Sequence, residues 1–419
     1  MTGLWSLAWQ SAWSRRYGLS WVVLSIALAT FLMLVLVQMR QDVREHFSQS
    51  VSGTDLIVGA RTSSTALLLY SVFHIGQPSN NIRWSSAQAI AQDPAVAWVI
   101  PISLGDSFRG YPVVGTERSF FEHFRYGQKQ ALQLAQGRAF EGVFEAVLGA
   151  EVAQRLQIAP GQRIALSHGS GALEEGSHGD KPFTVVGVLA RTGTPVDRAV
   201  HISLTGIQAI HIDWVGGMPA RERISAEQAL QADLQPSSVT ALLVGLKSRA
   251  GVFSVQRSIA QFQAEPLMAV LPGVALDELW SVLAVGQQVL ELTVVLVGLV
   301  SLLALVATIG TALEQRRHEL AVLRSLGAGP QRIFALLVIE GALVTSCAAA
   351  LAWLASVLAI AGAGPWLAAH YGLALRLQPP QTEQALVLVG IVLAGTLASA
   401  IPGWRAYRLS ITDGLQPRA

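Results

Sequence analysis

The sequence predicts an α-helical membrane protein with four transmembrane helices plus a large α+β domain inserted between the first and second, outside the cytoplasm. Three observations predict this. The 419 residues are 52% hydrophobic and 13% charged, against roughly 25% charged in ordinary soluble domains. Most of that charge lies between residues 40 and 280, so the deficit is concentrated at the two ends of the chain. Those ends carry four apolar runs, one early and three late, long enough to cross a hydrocarbon core about 30 Å thick. A net charge of +2 and the lack of any Lys/Arg tract give no footprint for nucleic acid. The single cysteine, Cys347, sits in an apolar run, so no disulfide can form within the chain.

Residues 1–16 place Trp5, Trp9 and Trp13 four apart, on one helical face. Tryptophan favours the membrane–water boundary, so an interfacial helix is expected to lead into the first span. Trp21 to Val37 is free of charge over about 17 residues, enough to span. Arg15 and Arg16 precede it as they would a signal peptide. However, Gln38, Met39, Arg40 and Gln41 follow in place of a small-residue cleavage site, which predicts a retained span. No Gly or Pro interrupts the next stretch, so residues 17–49 are expected to form one helix, a span with a stalk.

From residue 50 to 276 the texture is that of a water-exposed domain. β-rich runs at 55–60, 96–102, 111–116, 163–167 and 183–190 alternate with Gly/Pro/Asp turns. Helical patterns are expected at 84–92 and 144–156. A second stalk and span is predicted over 277–313, with Gln287, Gln288 and Glu291 in its wet outer part. The remainder, 332–419, holds a third span near 333–360, a fourth near 385–401 and a short tail. Between the second and third spans lies EQRRHELAVLRSLGAGPQ, Glu314–Gln331, the densest charge cluster in the C-terminal third. Helix formers fill it to Leu326, and Gly327, Gly329 and Pro330 stop it, as a docking helix would be stopped.

Basic residues orient the chain. Arg15 and Arg16, then Arg316, Arg317, Arg324 and Arg332, then Arg405 and Arg408 flank membrane ends on one side. The connection between the third and fourth spans has only Arg376. By the positive-inside rule both termini are cytoplasmic and the inserted domain lies outside.

Catalytic signatures are missing. The sequence has no GxxxxGK[ST], HExxH, GxSxG or CxxC pattern. Glu340 is the one carboxylate inside a span, and its place near the cytoplasmic boundary favours structural pairing over catalysis. The stretch SHGSGALEEGSHGDK, 167–181, gathers His168, Glu174, Glu175, His178 and Asp180. Imidazole and carboxylate suit zinc, but the spacing fits no standard site and the Gly/Ser content predicts a solvated loop. On that reading there is no metal site, His168 and His178 being the residues to watch.

The segment ExRRxELAVLRSLGA, 314–328, resembles the coupling segment of the MacB/FtsX-like ABC transporter permeases, the type VII, LolC/LolE-like group. QRIFALLVIEGALVT, 331–345, is similar to the start of their third span, including Glu340 and Gly341. PGWRAYRLSITDGL, 402–415, resembles their closing Pro-x-x-Arg-Ala-x-Arg-Leu pattern and departs from it at Ser410. GRAF at 137–140, AVLGAEVAQRL at 146–156, GQRI at 161–164 and FTVVGVLARTGTPVD at 183–197 follow the order of the family's periplasmic core domain.

The resemblance implies a large α+β periplasmic domain and a multi-pass protein of the bacterial inner membrane. It implies a non-catalytic permease subunit working with a separate ABC ATPase, since no ATPase precedes the first span. ATP and magnesium would then belong to that partner, with no cofactor on this chain. The helix at 314–331 would enter a cleft on the ATPase. There Glu314, Arg316, Arg317, Glu319 and Arg324 would supply charged contacts, Leu320 and Leu323 an apolar anchor, and Gly327 the stop. The permease would pair with a second copy or a paralogue, with room for a periplasmic adaptor or substrate-binding protein. Movement would pass by mechanotransmission to the periplasm, for export or extraction of a lipoprotein, peptide or small hydrophobic substrate. The alternative is an FtsX-like regulator that activates a periplasmic partner and transports nothing.

Overall fold

A computed structural model describes residues 16–78, 80–169, 178–215, 218–219, 224–315, 329–371 and 381–408. The chain forms two compact units: Met1–Val43 with Ala284–Ala419, and Arg44–Leu283.

Among the described residues four helices are long and apolar enough to cross a membrane, at Leu19–Asp42, Pro272–Thr311, Pro330–Gly364 and Thr382–Arg405. The helices themselves are longer. The first, Arg16–Gln49, runs through the polar stretch as its lack of breakers predicts. The second, Pro272–Gln315, has 44 residues and would extend about 66 Å at 1.5 Å per residue. It opens five residues before the expected Asp277, on a proline, whose missing N–H costs nothing in a first turn. The third, Pro330–Tyr371, passes the expected stop at 360 and continues through Ala-Gly-Ala-Gly-Pro into Trp-Leu-Ala-Ala. Leu-Ala-Ala, good helix formers, follow closely after that proline. The fourth, Thr382–Arg408, carries Pro402 inside it.

Leu19, Val22, Ile26 and Leu34 of the first helix pack with Leu305 and Ile309 of the second and Ile333, Leu337, Val344 and Ala348 of the third. The third and fourth helices approach through glycine. A Cβ at Gly341 would sit 2.3 Å from Cβ of Ser399, and one at Gly395 would sit 2.0 Å from Cγ2 of Thr345. Small residues let helix backbones close in this way within a bilayer.

The second unit holds two main sheets. One has four strands in the spatial order Leu267–Val270, Leu56–Ala60, Ala241–Leu246, Val96–Ile102, all antiparallel. Successive side chains alternate between its faces. Leu56, Val58, Leu242 and Val244 pack with Ile90 and Val255, from the helices Trp84–Ala91 and Val252–Ala260. Ile57, Ala241 and Leu243 point the other way, with Leu67, Leu68 and Phe73. Those last three belong to a helix, Ser64–Phe73, that was not among the expected elements. Ser63 caps it by accepting from the Ala66 N–H, and His74 ends it in the left-handed region at φ 55°.

The other sheet is mixed, in the order Arg163–Ile164, Phe183–Leu189, Glu145–Leu148, Val200–Ser203, Tyr111–Thr116, Asp106–Phe108, Ser167–His168. Leu134–Gly137 also pairs with Phe183–Leu189. The expected helix at 144–156 is corrected here: Glu145–Leu148 is a central strand, and the helix is Ala150–Leu156. Gly149 separates them in an extended conformation, so close to the backbone of Val196 and Asp197 that a Cβ would lie 2.3 Å from the Val196 carbonyl oxygen. The expected strand at 163–167 is also corrected. It splits into Arg163–Ile164 and Ser167–His168, which pair at opposite edges of the sheet.

Candidate functional site

The predicted coupling element falls between the second and third membrane helices. The second membrane helix is described as far as Gln315, one residue past Glu314, and the third opens at Pro330. Arg316, Arg317, Glu319, Leu320, Leu323, Arg324 and Gly327 lie outside the described residues, as do Trp5, Trp9, Trp13 and Arg15. Arg16 is the first described residue of the first helix. Arg405 and Arg408 lie in the fourth helix, with Arg405 exposed. Glu340 is fully buried in the third helix, one residue before the glycine that meets Ser399.

A polar fastening joins three of the helices near the other end of the bundle. Arg40 of the first helix reaches Glu291 of the second at 3.2 Å and Glu383 of the fourth at 2.6 Å. Beneath it, Gln384 donates to the side-chain carbonyl of Gln38 at 2.5 Å, and Gln38 donates to Asp42 at 2.9 Å. Sequence reading placed Glu291 in a wet outer stretch, and it is half exposed here.

In the domain, the histidines of the 167–181 stretch do not behave as a solvated loop. His168 lies on the edge strand directly across from Asp106, and His178 is fully buried. His211, at the end of the helix Leu204–His211, joins them. Burial alone would raise the Asp106 pKa, but the surrounding imidazoles, His168 foremost, outweigh it and hold the carboxyl below the usual carboxylate range. The Asp106 hydrogen bond in turn raises His168. Immediately below, buried Lys181 places Nζ 2.9 Å from both carboxylate oxygens of Asp213 and 3.1 Å from Asp180. No local spacing reveals this cluster, because Asp106 and His211 are distant in the chain. The one sequence signal is the pair His168 and His178.

Four membrane-crossing helices, with a two-sheet domain between the first and second, define a multi-pass membrane protein with a large domain outside the bilayer. The model of the MacB-like periplasmic core domain matches residues 20–262, and that of the FtsX-like permease C-terminal region matches residues 292–411. The chain belongs to the MacB/FtsX-like ABC transporter permeases. Members of this family are membrane subunits that work with an ABC ATPase. The periplasmic region of MacB from Actinobacillus actinomycetemcomitans is similar at 10% identity and a TM-score of 0.33, covering 55% of this chain and 94% of that one. The extracellular domain of the noncanonic ABC-type transporter YknZ from Gram-positive bacteria is similar at 12% identity and a TM-score of 0.30, covering 52% and 99%. No curated protein matches the chain.

Proposed function

We propose that the chain is the permease subunit of an inner-membrane ABC system that converts ATP hydrolysis on a partner into movement of the periplasmic domain. Both termini would be cytoplasmic, and the substrate would be a lipoprotein, a peptide or a small hydrophobic molecule. The observation that carries this reading is the order of parts. A MacB-like core domain and an FtsX-like C-terminal region follow one another on a four-helix chain. The densest charge cluster of the C-terminal third falls between the second and third helices. In this reading the segment 314–331 binds the ATPase, with Arg316, Arg317, Glu319 and Arg324 as its charged contacts and Leu320 and Leu323 as its anchor. The second helix would carry the resulting motion outward.

Arg324→Glu reverses one charge of the docking helix without touching a span. It is expected to weaken co-purification with the ATPase about tenfold or more while membrane insertion persists. Undiminished co-purification would remove the coupling assignment. In a reconstituted complex, ATPase activity stimulated by substrate in the absence of any periplasmic protein supports transport. Stimulation by a periplasmic protein alone would favour the FtsX-like regulator.

A further inference from the structure

We propose that Asp106, His168, His178 and His211 form a four-ligand binding site for a divalent transition-metal ion, zinc by its donor set. The four residues come from four places: the start of the strand Asp106–Phe108, the edge strand Ser167–His168, the chain just before Lys181, and the last residue of the helix Leu204–His211. One ligand atom from each lies within 4.8 Å of all the others.

The distances are those of a tetrahedron around an ion. Zinc binds imidazole nitrogen and carboxylate oxygen at about 2.0–2.1 Å, which puts neighbouring ligand atoms about 3.3–3.4 Å apart. Asp106 Oδ1 stands 3.2 Å from His168 Nδ1, 3.3 Å from His211 Nε2 and 3.6 Å from His178 Nε2. His211 Nε2 stands 3.4 Å from His168 Nδ1. These are four of the six edges.

Hydrogen bonding alone accounts poorly for the same arrangement. Three imidazole nitrogens converge on a single carboxylate oxygen. His211 Nδ1 donates to the Ile207 carbonyl at 2.9 Å, so in the neutral ring Nε2 carries a lone pair. That lone pair faces the carboxylate oxygen and a second imidazole nitrogen. A cation at the centre turns these opposed acceptors into ligands, and the Ile207 carbonyl then serves as the outer partner that fixes ring orientation. His178 gives the second observation. Its side chain is fully buried, and neither ring nitrogen has a hydrogen-bond partner among the described residues, although Nε2 points into the cluster. A buried polar atom left so is costly unless something else binds it.

The setting suits an ion that stays bound. Trp214 lies over His178 and His168, with ring centroids at 4.8 and 5.4 Å. Lys181 spends its charge on Asp213 and Asp180, leaving the Asp106 carboxylate to the site. The His168 side chain is 43% exposed and opens a way in from solvent. Three imidazoles and one carboxylate select zinc-like ions over magnesium or calcium, which require oxygen ligands. Four protein ligands leave no open position, as in structural sites. The ion would hold the edge strand Ser167–His168 and the chain at His178 against the end of the helix Leu204–His211.

The test uses the full-length chain in detergent, stripped with EDTA and titrated with zinc. One equivalent is expected to bind, raising the melting temperature of the domain by about 5–10 °C at a hundredfold excess over Kd. Cobalt in its place is expected to give the strong visible absorption of a four-coordinate ion. His178→Ala would endanger the fold, so the deciding variant is H168Q/H211Q, at the two partly exposed ligands. It is expected to melt within about 2 °C of the metal-free parent and to bind zinc at least about a hundredfold more weakly. Failure of the parent to bind one equivalent, equal stabilisation by magnesium, or unchanged zinc affinity in H168Q/H211Q would each overturn the site. None of these outcomes bears on the coupling segment.

Discussion

Replacing one partner of the Lys181–Asp213 pair should cost far more than replacing both. Lys181 is fully buried, and the Asp213 side chain is 1% exposed. The contact is double, with Nζ 2.9 Å from each Oδ atom, and Asp213 also accepts from the Ile224 N–H at 3.1 Å. In Lys181→Met the carboxylate keeps its backbone donor but loses its counter-charge. In Asp213→Leu the ammonium keeps, among the described residues, only Asp180, which is one-third exposed. Removing one member of a buried pair costs about 3–5 kcal/mol, whereas apolar replacement of both is often neutral. For a domain of this size 1 kcal/mol moves the melting temperature by about 2–4 °C. Each single variant should therefore melt about 6–20 °C lower, and the double variant should recover most of the loss. Thermal unfolding followed by tryptophan fluorescence measures this, with Trp214 adjacent in sequence to Asp213. Single variants within about 2 °C of the parent, or a double variant showing the sum of the two losses, would refute the claim that the pair is shielded from water.

Two further outcomes follow from packing and from protonation. Gly341→Val and Gly395→Val should each destabilise the third and fourth helices by about 1–3 kcal/mol, because the added atoms meet Ser399 and Thr345. Gly390→Val, where nothing lies within 4 Å, should be silent, and heating before size-exclusion chromatography compares the three. His74 and His201 are buried; burial holds His74 down to about 4, and burial with repulsion from His74 holds His201 to about 3. In the unfolded chain both protonate near 6.5, so the unfolded state takes up protons first as pH falls. Stability contributed by the neutral rings is thus present above about pH 6.5 and lost between there and about pH 4 to 3. His201→Leu should flatten that part of a stability–pH curve, and an unchanged slope would count against it.

How much could be read from the chain depended on whether the signal was local. The strands at 56–60, 96–102, 111–116 and 183–189 and the helix at 84–91 were legible because their apolar runs end in turn residues. The membrane helices were legible in number and place but not in length, since their ends are polar and periodicity there says nothing about where a helix stops. Residues 145–148 misled because the strand is short and a true helix begins just after Gly149. Only pairing with Phe183–Leu189 and Val200–Ser203 identifies it. The histidine cluster was half visible. His168 and His178 stood out in one stretch, but the sheet register that brings in Asp106 and the helix that ends on His211 are properties of the fold.

The second membrane helix is packed unevenly along its length. Ser301, Leu305 and Ile309 are buried among the other helices, and Ser301 meets Ser25 at 3.1 Å. Val285, Val289, Leu292, Val295 and Leu299 are exposed, and in that stretch Glu291 meets Arg40 through a half-exposed ion pair, a contact worth about 1 kcal/mol or less. On the proposed coupling, a rod packed more firmly at one end than along the rest would act as a lever. From Ile309 to Ala284 its arm is about 37 Å, so a tilt of about 5° at the Ile309 end would sweep the far end through about 3 Å. A small tilt imposed at Ile309 would thus be magnified at Ala284.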